Sequence, residues 1–132
     1  MAAYLDKKNR IIFPGDDLCS DVSGVAGGPR PGSINGQYQN LTVFRDNLAR
    51  LVARIDEFDY VFPSHFMINL ENSVLVEELA TCDAILADPD DYDFVYTGIS
   101  PNGGQPVERR FKYIKGFSTL AYTMNGLYPK NI

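Results

Sequence analysis

The alternation of apolar and polar positions along the chain predicts both strands and helices. Residues 3–5 and 10–13 form two β-type segments around the polar turn 6–9, which is a hairpin pattern. Apolar side chains then recur at steps of three and four over residues 41–55 and 70–86, which predicts two helices. Further β-type segments cover residues 60–62, 94–97, 107–114 and 118–123. This order favours an α/β fold of the mixed α+β kind, in which two main helices cover one mixed sheet.

The boundaries of these elements follow from local residue types. Asn40 and Asn69 are the predicted N-caps of the two helices, and Glu71 is expected in the first turn of the second helix, where a carboxylate stabilises the helix dipole. Residues 23–36 are rich in Gly, Pro and Ser and have no apolar period, so they are predicted to be a long loop. The acidic segment 88–93 is predicted to be a solvated turn.

Composition narrows the class of protein. The 132 residues suit one domain, and 45% apolar residues with 8 Tyr and 8 Phe exclude a disordered chain. A net charge of -5 argues against a nucleic-acid partner, and no apolar run reaches the length of a membrane span. The N-terminus lacks an apolar secretory segment, so Cys19 and Cys82 are interpreted as reduced thiols of a cytoplasmic protein.

Two candidate metal ligands stand directly after predicted strands. Asp16 follows Phe13-Pro14-Gly15, and His65, the single histidine, follows a similar Phe-Pro-Ser segment. Ligands gather at the carboxyl ends of strands in open sheets, and a carboxylate oxygen with an imidazole nitrogen suits Zn²⁺ or a similar divalent ion. The alternative to metal binding is a local structural role for both residues. Aspartate often forms hydrogen bonds within turns, and a histidine after a strand is often a turn residue or a partner at the start of a helix.

Other candidate chemistry is weaker. The Gly-rich loop has no Gly-Lys-Ser/Thr and does not join a strand to a helix, so it is not a phosphate-binding P-loop. Residues 88–93 lack the glycine and the distant glutamate of an EF-hand. Cys19 with His65 would form a Cys-His nucleophile pair, and the alternative for Cys19 is a buried structural thiol.

The two strand-end motifs, in their order, resemble the metallo-β-lactamase superfamily. The segment 6–18 resembles the family strand that ends in Gly-Asp, and the segment 60–65 resembles the later strand that ends in a metal-binding histidine. The predicted helix lies between them, and the resemblance extends over residues 3–86. It implies that Asp16 is a carboxylate bridging two metal ions and that His65 is a ligand of the second metal. It further implies that the loop 21–36 borders the substrate cleft.

The resemblance also carries expectations about the rest of the protein. Arg30 in the loop is a candidate anchor for an anionic substrate, and zinc is the family's metal. The family signature His-x-His-x-Asp-His is absent, because the chain has a single histidine. Residues 1–132 are therefore expected to be one domain that corresponds to the C-terminal half of an αββα sandwich. The early start of periodic structure is interpreted as the point where the other half is missing.

Three functional hypotheses follow from the sequence. The first is the C-terminal domain or fragment of a zinc hydrolase, inactive alone, with weak or no metal binding because most ligands are missing. The second is a non-catalytic oligomerising or partner-binding domain derived from the same fold. The third is a small Cys-His enzyme that uses Cys19. A half-sandwich exposes an apolar face, so a homo-oligomer or a missing N-terminal half is the expected partner, with neither nucleic acid nor membrane.

Overall fold

The computed structural model describes residues 2–16, 18, 22–25, 40–65, 67–99, 106–114 and 118–129. Within these residues the helices are α1 (Leu41–Val52) and α2 (Ser73–Ala87), and short 3₁₀ turns cover Ile55–Glu57 and Met124–Gly126. The strands are β1 (Tyr4–Asp6), β2 (Ile11–Gly15), β3 (Val22–Val25), β4 (Tyr60–Pro63), β5 (Leu70–Glu71), β6 (Phe94–Gly98), β7 (Val107–Tyr113) and β8 (Thr119–Tyr122).

The strands sort into two sheets. The first sheet has the order β1-β2-β4-β5, in which β2 and β4 are parallel while β1 and β5 pair antiparallel at its edges. The second sheet has the order β3-β8-β7-β6, in which β6, β7 and β8 are antiparallel and β3 joins β8 in parallel. The mixed α+β class is therefore confirmed. The prediction of one mixed sheet is wrong, because the C-terminal strands pair among themselves and with β3.

Helix α1 begins where the sequence predicts. The Asn40 side-chain oxygen accepts a hydrogen bond from the Val43 backbone N–H at 3.0 Å, which satisfies one of the free donors of the first turn. Leu41 and Leu48 are fully buried on its apolar side. The helix ends at Val52 and not at residue 55 as predicted, and a 3₁₀ turn at Ile55–Glu57 leads into β4.

Helix α2 begins later than predicted, at Ser73 with Asn72 as its N-cap. Leu70 and Glu71 pair antiparallel with β4, so Glu71 lies in a strand and not in the first helical turn. Asn69 has a φ of 65°, in the left-handed region that asparagine tolerates, and it is therefore the turn residue before β5 and not the helix cap. A two-residue strand is too short to produce a recognisable apolar period.

The predicted long loop 23–36 is also corrected at its start. Val22–Val25 is a strand, and its register with β8 runs from Val22 opposite Thr119 to Val25 opposite Tyr122. The backbone hydrogen bonds of a parallel pair do not require an apolar period, so residue types alone did not indicate this strand. Residues 26–36 lie outside the described part of the chain.

Both sheets and both helices contribute to one buried core. Ile12 and Val61 of the first sheet belong to the same cluster as Leu48 of α1, Leu75 of α2 and Leu120 of β8. Because side chains alternate along a strand, the neighbours of Ile12 and Val61 lie on the opposite side of the first sheet. This side carries exposed aromatic residues, and we call it the outer face. It consists of the exposed Tyr4, Phe13 and Tyr60 and the half-buried Phe62.

Candidate metal site

The two predicted ligands lie together at one edge of the first sheet. β2 and β4 are parallel neighbours, so their carboxyl ends meet at the same edge, and Asp16 and His65 follow these ends. The Nε2 atom of His65 is 3.0 Å from an Oδ atom of Asp16. The expected convergence of the two side chains is therefore present in the structure, while their role as metal ligands stays a prediction.

An irregularity in β2 sets the register of this edge. Ile12 lies opposite Val61, whereas Gly15 lies opposite Pro63, so β2 holds one more residue than β4 over this stretch. Such a bulge bends the strand and re-aims the side chains beyond it. Pro14 lies within the bulge. Proline has no backbone N–H to donate, but the hydrogen bonds between the strands are already interrupted here, so little stability is lost. The Phe-Pro motif of β2 therefore contributes directly to the position of Asp16.

Gly15 sets the direction of the chain into Asp16. Its φ is 64°, a left-handed conformation that costs an L-residue with a Cβ about 1–2 kcal/mol. No atom lies within 4 Å of the position that a Cβ would occupy, so the requirement for glycine comes from the backbone conformation and not from crowding. The Ser64 N–H donates to the Gly15 carbonyl at 3.3 Å, and this bond joins the two segments that carry the candidate ligands.

The two side chains are in direct contact, and a shared metal ion would require them to move slightly apart. Two ligand atoms at about 2.0–2.2 Å from a tetrahedral zinc ion lie roughly 3.3–3.5 Å apart, which is a few tenths of an ångström more than the observed 3.0 Å. The side chains of His65 and Asp16 are 56% and 76% exposed, so an ion can reach them from solvent. An oxygen and a nitrogen donor also match the ligand preference of zinc.

The described residues supply only part of a zinc site. No group of three or more His, Cys, Asp or Glu side chains is placed to hold a metal ion within the part of the chain that the structure describes. A catalytic zinc site uses three protein ligands and leaves one position open. Asp16 and His65 therefore fit zinc as two members of a larger ligand set.

An apolar groove adjoins the pair. It has a volume of about 520 Å³, is open to solvent and runs along the outer face. Its far part is lined by apolar side chains, and its near end is formed by the strand ends that precede Asp16 and His65. The residues that line it include Tyr4, Phe13, Phe62 and Ile68, with Gly15 and Ser64 at the near end.

The aromatic residues of the groove form a contiguous surface. Phe13 and Phe62 contact each other edge to face, with ring centroids 5.7 Å apart. Tyr4 remains 75% exposed although it lies opposite Phe13 on the neighbouring strand. Sequence reasoning did not single these residues out, although they alternate with the core positions of β1, β2 and β4. That alternation is the signal that could have shown that both faces of this sheet are apolar.

Most of the remaining candidate residues fall outside the described part of the chain. The structure describes neither Arg30 nor Cys19, and of the loop 21–36 it describes only β3. Cys82 is fully buried in α2, and burial, followed by the nearby Glu78 carboxylate, raises the pKa of its thiol. Because the thiolate is the reactive form, Cys82 is an inert core residue.

The acidic segment 88–93 is an exposed turn, as predicted, but its carboxylates have structural partners. Asp90 pairs with Arg110 at 2.6 Å, and Asp91 pairs with Lys112 at 3.0 Å. Arg110 also lies over the Tyr92 ring, with its guanidinium carbon 4.8 Å from the centroid. Arg110 and Lys112 are two residues apart on β7, so they share one face of the strand. This spacing is the pattern in the sequence that could have indicated their pairing with the acidic turn.

No protein-family model, curated protein or solved structure matches this chain. Among the described residues, no helix is long and apolar enough to cross a membrane. The functional argument therefore depends on the geometry of the site itself and on the motif resemblance.

Proposed function

We propose that this chain is the C-terminal part of a zinc-dependent hydrolase of the metallo-β-lactamase superfamily, in which Asp16 and His65 are two of the metal ligands. The observation that carries the proposal is the 3.0 Å approach of these side chains at the carboxyl ends of two parallel strands. The motif order, with Gly-Asp first, a helix next and a strand-end histidine last, supports the same assignment. The chain alone is inactive in this proposal.

A structural role explains the Asp16–His65 pair less well than a ligand role. Exposed ion pairs contribute about 0–1 kcal/mol, so a pair this accessible adds little to folding. By contrast, the bulge in β2 and the left-handed Gly15 are specific backbone features beside the pair, and such features concentrate next to functional sites. The bulge and the left-handed glycine set the direction of the chain that carries Asp16.

The residues of this chain have distinct tasks in the proposed site. Asp16 offers a carboxylate oxygen and His65 offers Nε2, both at an edge that solvent and substrate can reach. When bound, zinc supplies a bound water of lowered pKa and polarises the bond to be hydrolysed. Gly15 and the Ser64–Gly15 hydrogen bond hold the two ligand-bearing segments in register.

Two observations support the expectation that this chain is incomplete as an enzyme. Its described residues offer two ligands where a zinc site needs at least three. The outer face next to the pair is aromatic and exposed, and such a surface is usually covered in a larger assembly. We infer that a further sheet, which carries the other ligands, packs on the outer face in the active protein.

Zinc titration tests the proposal. We expect weak, saturable zinc binding by the wild-type chain, measured by calorimetry, and at least a tenfold loss of affinity in both Asp16→Ala and His65→Ala. Asp56→Ala is the matched control, because it removes a carboxylate at the opposite end of β4 and is expected to leave binding unchanged. Binding should also weaken as the pH is lowered, since imidazole binds metal only in its neutral form.

The outcome that contradicts the proposal is equally specific. Zinc binding that survives in the Asp16→Ala/His65→Ala double variant would show that the ion binds elsewhere. Absence of any zinc effect on the wild-type chain would favour the second candidate function, a non-catalytic partner-binding domain. The exposed outer face is the observation that favours this second candidate, because it offers an apolar docking surface without requiring a metal.

A further inference from the structure

Strand β6 forms one edge of the second sheet. Its only strand partner among the described residues is β7, and the sheet order ends with β6. Its five residues, Phe-Val-Tyr-Thr-Gly, include no charged residue and no proline. The first four of these side chains are exposed, and Tyr96 at the centre is 62% exposed. An exposed apolar edge of this kind is a template for pairing with another strand.

The edges of the first sheet are protected in ways that β6 is not. β1 has only three residues, ends in Asp6 and is followed directly by Lys7 and Lys8. β5 has two residues and includes Glu71. Short edge strands and nearby charges are the usual means by which proteins prevent edge pairing. β6 is longer than either of these strands and has no charged residue of its own, although Asp93 directly precedes it, so its edge is less protected against pairing.

We propose that β6 pairs antiparallel with β6 of a second copy of this chain, about a two-fold axis at Tyr96. A two-fold axis places residue 94 opposite residue 98 and Tyr96 opposite its own copy, so all five residues of the strand are paired. The same surface then serves both copies, as in the common closed dimers. The second sheets of the two copies then form one continuous eight-stranded sheet.

The aromatic side chains around β6 contact one another and the strand. Phe94 stacks on Phe111 of β7 at 4.5 Å between centroids, and Tyr113 lies 5.8 Å from Phe94. The Tyr96 ring lies so close to Gly98 that a Cβ there would be 2.6 Å from a ring carbon, so the ring covers the glycine. These contacts hold the aromatic side chains before any partner binds, which lowers the entropic cost of association.

The area around β6 is adequate for a dimer. Six large apolar residues at or beside the strand are exposed, namely Phe94, Val95, Tyr96, Ile99, Val107 and Tyr113. These side chains are only 37–64% exposed, so a second copy removes roughly 50–130 Å² or less from each. A symmetric pair therefore buries about 1,000 Å² of side-chain surface at most, which is the size of a weak, reversible interface.

A second copy suits this edge better than a partner with a different sequence. β6 has no charged residue that would select a partner of opposite charge, and self-pairing brings no two like charges of the strand together. Because Asp16 and His65 lie in the first sheet, this interface does not depend on the proposed metal site.

Sedimentation velocity tests the interface on the full chain. We expect the wild-type chain to form dimers at concentrations of about 10–100 µM, the range of a modest interface. Tyr96→Lys places two ammonium groups at the two-fold axis and should weaken dimerisation at least about tenfold. Tyr4→Lys is the matched control, since it makes the same change on an exposed strand of the first sheet and should leave the dimer intact.

A cross-linking measurement makes the test independent of how well the lysine variant folds. In a Cys19→Ser background, Tyr96→Cys should form a disulfide-linked dimer on mild oxidation, because position 96 faces its own copy, whereas Tyr4→Cys should not. A monomeric wild-type chain at about 100 µM, or a dimer that persists in Tyr96→Lys, would overturn the proposal. Asp16→Ala should dimerise like the wild type, so failure of the metal proposal and failure of this one are distinguishable.

Discussion

The two sheets use polar side chains in opposite ways. In the second sheet, the Arg110 side chain is only 15% exposed, bonds to Asp90, Glu108 and the Pro89 carbonyl, and fastens the acidic turn to β7. In the first sheet, Asp16 and His65 form an exposed pair beyond the strand ends. The first arrangement is explained by the fold, because it satisfies partly buried groups. The second adds little to the fold, which is why we assign it a function.

The two sheets also differ in how their apolar side chains are covered. All four residues of β8 are buried, at the centre of the second sheet. In the first sheet, Ile12 and Val61 are buried whereas Phe13 and Tyr60 on the outer face are exposed. The contrast teaches that apolar composition alone does not identify the core. One set of apolar residues is buried in the core of this chain, and the other set is exposed on the outer face.

The largest expected effect tests this contrast in apolar burial. Leu120→Ala removes a fully buried side chain from β8 and should lower the free energy of unfolding by about 2–5 kcal/mol. Phe13→Ala on the outer face should lower it by about 1 kcal/mol or less, since it loses mainly the contact with Phe62. Urea unfolding followed by circular dichroism measures both. Equal losses would show that the outer face is part of the core.

A smaller effect is expected at the hydroxyl group of Tyr122. It donates to the Pro89 carbonyl at 2.8 Å, so Tyr122→Phe should cost about 0.5–1.5 kcal/mol at neutral pH. Burial raises the pKa of Tyr122 to about 12, whereas an unfolded tyrosine titrates near pH 10. The folded state therefore binds the proton more tightly, and this contribution to stability is complete below about pH 10 and is lost as the pH rises towards about 12.

The Tyr122 prediction is checked by urea unfolding at pH 9 and pH 11. Stability should fall between these values in the wild-type chain and fall less in Tyr122→Phe. Tyr113→Phe is the control, because its side chain is exposed on the neighbouring strand, and it should decline like the wild type. If Tyr122→Phe lost as much stability between pH 9 and pH 11 as the wild-type chain does, the assignment of this loss to Tyr122 would be refuted.

The smallest expected effect sharpens the difference between structural and functional polar groups. His65→Ala should change the free energy of unfolding by no more than about 0.5 kcal/mol, because the pair with Asp16 is exposed. The same variant should lose zinc binding. A loss of stability above about 1 kcal/mol would instead identify the pair as a structural element like that of Arg110.

Most of the regular structure could be predicted from the sequence, and the errors have identifiable causes. Helix α1 and its Asn40 cap were predicted because twelve helical residues show a clear apolar period. β3 was missed and α2 was predicted to begin too early, because β3 and β5 are stabilised by pairing with distant strands. The candidate ligands could be named from the Phe-Pro-Gly-Asp and Phe-Pro-Ser-His segments. Their 3.0 Å approach depends on the bulge in β2, and residue types do not report a bulge.

The sequence by itself determined which residues carry chemistry and which segments are helical or extended, because these properties depend on side-chain type and on periods of two to four residues. It also determined that the chain has a single histidine. Only the tertiary structure decided that the strands form two sheets and that, among the described residues, the outer face is exposed and β6 is an edge strand. Those features depend on which strands pair, and pairing is decided by contacts between residues far apart in the chain.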